Sequence, residues 1–75
     1  MRKHLKVDYR GTQCPGLYGL LGAVRVAGIG DDIEVNTTDA SAPVDIPAWV
    51  EKARYELTVR KQAGSEWTFL VRRTR

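Results

Sequence analysis

The chain's only cysteine, Cys14, stands immediately before Pro15 in the run Gly11-Thr12-Gln13-Cys14-Pro15-Gly16-Leu17, a side chain whose thiolate is a strong nucleophile for group transfer. Proline is favoured at the first helical position, where a missing N–H leaves nothing unpaired, so Pro15 in that place makes Cys14 the N-cap. A thiol there lies in the positive end field of the helix and beside the free N–H groups of Gly16 and Leu17. Both favour the thiolate, the nucleophilic form of cysteine. The competing reading is a small buried hydrophobe, and the residue types alone leave the two open.

The other residues restrict what such a thiol can do. The sole histidine, His4, begins a segment in which Leu5, Val7 and Tyr9 alternate with His4, Lys6, Asp8 and Arg10, the period of a half-buried strand. Six residues at about 3.3 Å each put the imidazole roughly 20 Å from the end that leads into Gly11. That excludes a cysteine-histidine hydrolase. One cysteine and one distant histidine exclude a zinc site, and the glycines at 28 and 30 lack the Gly-Lys-Ser/Thr group of a phosphate loop. No cofactor is expected.

The supporting elements follow from periodicity. After Pro15, Leu17, Leu20, Leu21 and Val24 take helical spacing to about Ala27, with Gly28 and Gly30 as the stop. Gly16, Gly19 and Gly22 recur every third residue in that helix, a mark of close approach to a neighbour that the spacing does not identify, or of a merely weak helix. Asp31 and Asp32 form a turn, and Ile33, Val35 and Thr37 give a second strand. A strand, helix and strand with short links make a parallel crossover, which brings Thr37, Thr38 and Asp39 to the same edge as Cys14. A polar loop is expected over 39–44, then a second helix capped by Asp45, with Pro47 in its first turn and Ile46, Trp49, Val50 and Ala53 on its apolar face. Trp49 is read as core. Residues 56–61 and 67–72 alternate again about a turn at Gly64, forming an antiparallel hairpin with Leu57, Val59, Trp67, Phe69 and Val71 inward. Glu56, Thr58, Arg60, Thr68 and Arg72 face outward, with Leu70 the apolar exception. The expected fold is therefore an α+β two-layer sandwich, β-α-β-α-β-β, with a four-stranded mixed sheet and both helices on one face.

With 75 residues the chain is one domain of small core. A free thiol and no long apolar run point to the cytoplasm and no membrane partner. The net charge of +3 is spread along the chain apart from Arg72, Arg73 and Arg75. A nucleic-acid-binding module is the alternative that this tail suggests, and the inward placing of the aromatics argues against it.

Three segments, Asp8-Tyr9-Arg10-Gly11-Thr12-Gln13-Cys14-Pro15, Val35-Asn36-Thr37-Thr38-Asp39 and Asp45-Ile46-Pro47-Ala48-Trp49, resemble the TusA/SirA-type sulfur-carrier family in the same order and over nearly the whole chain. The resemblance implies a small two-layer sandwich carrier whose cysteine, here Cys14, accepts a sulfane sulfur as a persulfide, and the chain is expected to be a monomer. The donor it implies is a cysteine desulfurase or rhodanese, and the recipient a downstream acceptor protein. The family motif is Cys-Pro-x-Pro, and Leu17 replaces its second proline. The first helix of the family usually carries several basic residues, where this one has Arg25 alone, which makes Arg25 the expected partner contact. Asp39 and Asp45 are expected to be structural.

Overall fold

The computed structural model describes residues 3–12 and 15–75; Met1, Arg2, Gln13 and Cys14 lie outside the described residues. Six elements follow in the expected order: β1 (His4–Tyr9), α1 (Gly16–Val26), β2 (Asp32–Thr37), α2 (Ala42–Ala53), β3 (Glu56–Ala63) and β4 (Glu66–Arg72). The strands form one sheet in the order β1-β2-β4-β3, with β1 and β2 parallel and the other two pairings antiparallel.

Alternation dictates the layers. Leu5, Ile33, Val71 and Leu57 align across the four strands on one face, followed by Val7, Val35 and Phe69 and then by Tyr9, Thr37 and Trp67. Both helices cover this face, and Leu20, Ala42, Ile46 and Val50 meet Ile33, Val35, Phe69 and Val71 in a fully desolvated core. Trp49 packs against that core and meets Tyr55 edge to face with ring centroids 5.7 Å apart. The opposite face is polar: Glu34 takes His4 at 3.2 Å and the Asn36 amide at 2.9 Å, and Thr68 donates to Asn36 at 2.8 Å.

Val59 departs from its expected inward place. The register of β3 against β4 shifts between Leu57 and Val59, so Leu57 opposes Val71 but Val59 opposes Leu70. Thr58 is the extra residue of a bulge, its hydroxyl donating to the Leu70 carbonyl at 3.2 Å. A one-residue slip reverses the faces beyond it, which turns Val59 outward onto Leu70 and brings Arg60 opposite Phe69. The apolar exception Leu70 thus has an apolar neighbour. Gly64, in the left-handed conformation at φ 61°, opens the two-residue turn that closes the hairpin.

The second helix begins earlier than expected. It runs from Ala42, with Ser41 as its N-cap and Pro43 in the first turn, while Pro47 lies inside it. A pair of prolines reads as loop, yet Pro43 sits where no N–H is needed and Ala42 is anchored in the core. Asp45 is therefore a first-turn residue and not the cap. The polar work at this helix start belongs to Asp39, whose carboxylate accepts the Ser41 N–H at 3.1 Å and the Ser41 hydroxyl at 2.8 Å. Asp39→Ala should cost about 0.5–1.5 kcal/mol, the worth of such a bond. Asp45→Ala, which removes only a charge near the helix end, should cost less than Asp39→Ala in urea denaturation.

Candidate functional site

The carboxyl ends of β1 and β2 converge on one edge, and the chain leaving β1 is tied down there. Gly11 donates its N–H to the Thr38 hydroxyl at 3.1 Å, so the link after β1 is fastened to the residue that follows β2. Thr12 turns back on Tyr9, its N–H and hydroxyl both reaching the Tyr9 carbonyl at 3.2 and 2.8 Å. On the far side of Gln13 and Cys14, Gly16 lies on Thr37, where an added Cβ would come within 2.9 Å of the Thr37 side chain. Thr37 itself is fully buried and its hydroxyl accepts the Asp39 N–H at 3.0 Å. Both flanks of the two undescribed residues are thereby fixed to the ends of the parallel pair.

The helix start differs from the expected one. Pro15 is itself the N-cap, with φ −60° and ψ 134°, and Gly16 is the first helical residue. Proline's locked φ suits an extended residue as well as a helical one, and the turn begins only where Gly16 reaches the sheet. Cys14 therefore precedes the cap in the chain and is not the cap. Leu17 becomes the second helical residue and Tyr18 the third, and the Tyr18 N–H is taken by the Pro15 carbonyl at 3.0 Å. The first N–H groups of a helix have no acceptor within it, and here these belong to Gly16 and Leu17.

An ion-paired arginine borders the same edge. Arg10 meets Asp8 through two contacts of 2.8 and 2.7 Å and reaches Glu66 at 3.5 Å, and with Gly11 and Thr38 these three line a shallow polar depression. The Arg10 side chain, with help from its own N–H, holds the Asp8 carboxyl down to about 2 from an ordinary 3.8. A lowered carboxyl contributes to the fold above its ordinary value, and that contribution is lost as pH falls through the lowered one. Carboxyl-carbon NMR should therefore show Asp8 charged well below pH 3.8, and Arg10→Gln should return its midpoint toward that value. Asp8 and Arg10 are two apart on a strand end; their pairing left a weak trace in the sequence, and Glu66 left none.

Arg25 lies exposed near the end of α1 with no acidic partner among the described residues, one helical turn from Gly22 and two from Tyr18. His4 is at the opposite edge, paired in register with Asp32. The basic tail is engaged within the fold. Arg72 bonds Asp32 at 2.9 Å, Arg73 donates to the Val24 carbonyl at 3.0 Å and to that of Ala27, and Thr74 donates to Arg54 at 2.9 Å. The Arg73 contacts cap the C-terminal end of α1, and together with the Arg72–Asp32 pair they withdraw two of the three tail arginines from a phosphate backbone. Among the described residues no group of three His, Cys, Asp or Glu side chains is placed to hold a metal ion, and no helix is long and apolar enough to cross a membrane.

A mixed sheet covered on one face by two helices, with the link after β1 pinned across the carboxyl ends of the parallel pair, defines the class as an α+β two-layer sandwich. The chain belongs to the TusA family: residues 5–73 match the family described as "Sulfurtransferase TusA". It is also similar to the "Putative sulfur carrier protein" of Archaeoglobus fulgidus, with 37% identity over 68 residues that cover 89% of this chain and 93% of the relative.

Proposed function

We propose that this protein carries sulfur as a persulfide on Cys14, receiving it from one protein and delivering it to another. The observation that supports this reading most is the fastening of both flanks of Cys14, Gly11 to Thr38 and Gly16 on Thr37, at the edge where parallel units bind their ligands. Membership of the TusA family, whose members work with sulfur donors and acceptors, supports it independently.

In the proposed step the Cys14 thiolate attacks the outer sulfur of a donor persulfide. A new S–S bond forms at Cys14 as the donor's S–S bond breaks, and the electron pair leaves with the donor thiolate. No external oxidant or reductant is consumed. Delivery is the same exchange run toward the recipient. Pro15, Gly16 and Leu17 are the supporting residues: the helix end field and the Gly16 and Leu17 N–H groups favour the thiolate. With no second cysteine in the chain, the persulfide cannot be resolved into an internal disulfide. Arg25 is the proposed contact to the donor, a cysteine desulfurase or rhodanese. Charges at the rim of such an interface act chiefly on encounter rate, so Arg25→Glu should slow loading, most at low ionic strength.

The rate of alkylation against pH tests the chemical half. Cys14 should titrate below the unperturbed ~8.5 in the folded protein, and Leu17→Pro, which removes one of the two N–H groups, should raise that midpoint. A thiol that alkylates only on unfolding would overturn the reading.

A further inference from the structure

The outer face of α1 carries an apolar stripe that the fold does not use. Tyr18 is 65% exposed, and with Leu21, Gly22 and Arg25 it lines a depression on the side of the helix turned away from the sheet. Val26 and Ile29, 68% and 74% exposed, continue the apolar surface beyond it. Tyr18, Leu21, Gly22, Arg25 and Val26 follow helical spacing and form one strip starting one turn from Pro15, while Ile29 lies in the turn beyond the helix end.

Gly22 is the informative residue. Gly16 and Gly19 are required by the sheet beneath them, but a Cβ on Gly22 would meet nothing within 4 Å. A glycine inside a helix disfavours it, and here no described residue requires one. Its effect is to leave a hollow between Tyr18 and Leu21 on one side and the Arg25 guanidinium on the other. Charge decides what could fill it. α1 contains no acidic residue, and Arg25 has no acidic partner among the described residues. A second copy placed on this strip by two-fold symmetry would set arginine near arginine with no carboxylate from either helix.

We infer that this strip is the seat for a partner protein presenting an apolar side chain beside a carboxylate, the apolar group entering the hollow at Gly22 and the carboxylate pairing with Arg25. The inference rests on the reading of the chain as a carrier that works against partner proteins, and it names the chemistry that the partner must offer.

Selection of twelve-residue peptides from a random phage-displayed library on the intact protein tests it. Peptides from the wild type should share a Leu, Ile or Phe next to Asp or Glu, and should shift the amide resonances of Tyr18, Leu21, Gly22 and Arg25. Gly22→Leu fills the hollow with a better helix former, so the protein should remain folded and bind these peptides about tenfold more weakly, as expected for loss of a central anchor. Selection on Arg25→Glu should exchange the acidic position for Lys or Arg. Polysulfide should still add sulfur to Cys14 in Gly22→Leu. Peptides without an acidic position, a motif unchanged by Arg25→Glu, shifts away from α1, a failure to select any motif, or self-association that Gly22→Leu abolishes would each overturn the inference. Loss of polysulfide loading from the wild type would instead count against the carrier reading alone.

Discussion

Gly19→Ala should destabilise the protein, although the same substitution at Gly22, one turn along the same helix, should stabilise it. Alanine is favoured over glycine in a helix by about 1 kcal/mol, so propensity alone predicts a gain at both positions. At Gly19 a Cβ would collide with Cγ1 of Val7 and come within 3.2 Å of the Tyr9 ring. Val7 is β-branched and held by its strand, so it cannot swing away as a flexible side chain would. Overpacking of this kind costs about 1–3 kcal/mol, which exceeds the propensity gain over most of that range. At Gly22 a Cβ would strike none of the described residues. In a domain of this size each kcal/mol moves the melting temperature by about 4–8 °C, so the two variants should melt on opposite sides of the wild type. Gly19→Val, with a larger side chain of poor helix propensity, should fall further than Gly19→Ala.

This contrast shows what periodicity can and cannot carry. A row of glycines at every third residue says that something comes close, and the sheet is now seen to be the neighbour for Gly16 and Gly19 but not for Gly22. The strands and the parallel pairing were legible because alternation of Leu5, Val7 and Tyr9, and of Ile33, Val35 and Thr37, has no other use than to bury one face. The bulge at Thr58 was not, because Leu57 and Val59 keep perfect alternation through it. Only the partner strand reveals the slip, by pairing Val59 with Leu70.

The observed helix starts differ from the expected ones by one residue at α1 and by four at α2. Prolines read as boundaries, while the positions that fix the starts are Gly16 against Thr37 and Ala42 in the core, and both depend on packing that sequence spacing does not encode. Around the site, Thr37, Thr38 and Asp39 were placed at the correct edge by topology alone. Their roles as anchors were invisible, because the bond from Gly11 to Thr38 joins residues 27 apart. Arg73 on the carbonyls of Val24 and Ala27 spans still more of the chain, and the run of arginines at the tail pointed toward an outside partner instead.

Cys14→Ser should abolish sulfur loading and leave the fold intact. The only sulfur of the chain other than Cys14 is in Met1, a thioether that cannot form a persulfide, so no second site can take over. A hydroxyl has a pKa far above that of a thiol and cannot hold a sulfane sulfur. The elements that flank the position hold one another through Gly11 and Thr38 and through Gly16 and Thr37, none of which involves the Cys14 side chain. Melting temperature should therefore change little while function is lost, a separation that a buried structural cysteine would not give. The most direct test is the intact mass of the folded protein after incubation with a polysulfide or with a cysteine desulfurase and cysteine. The wild type should gain the mass of one sulfur atom, removable by a reductant and absent from Cys14→Ser. A wild type that gains nothing from either source, or a Cys14→Ser protein that gains the same mass, would contradict the account.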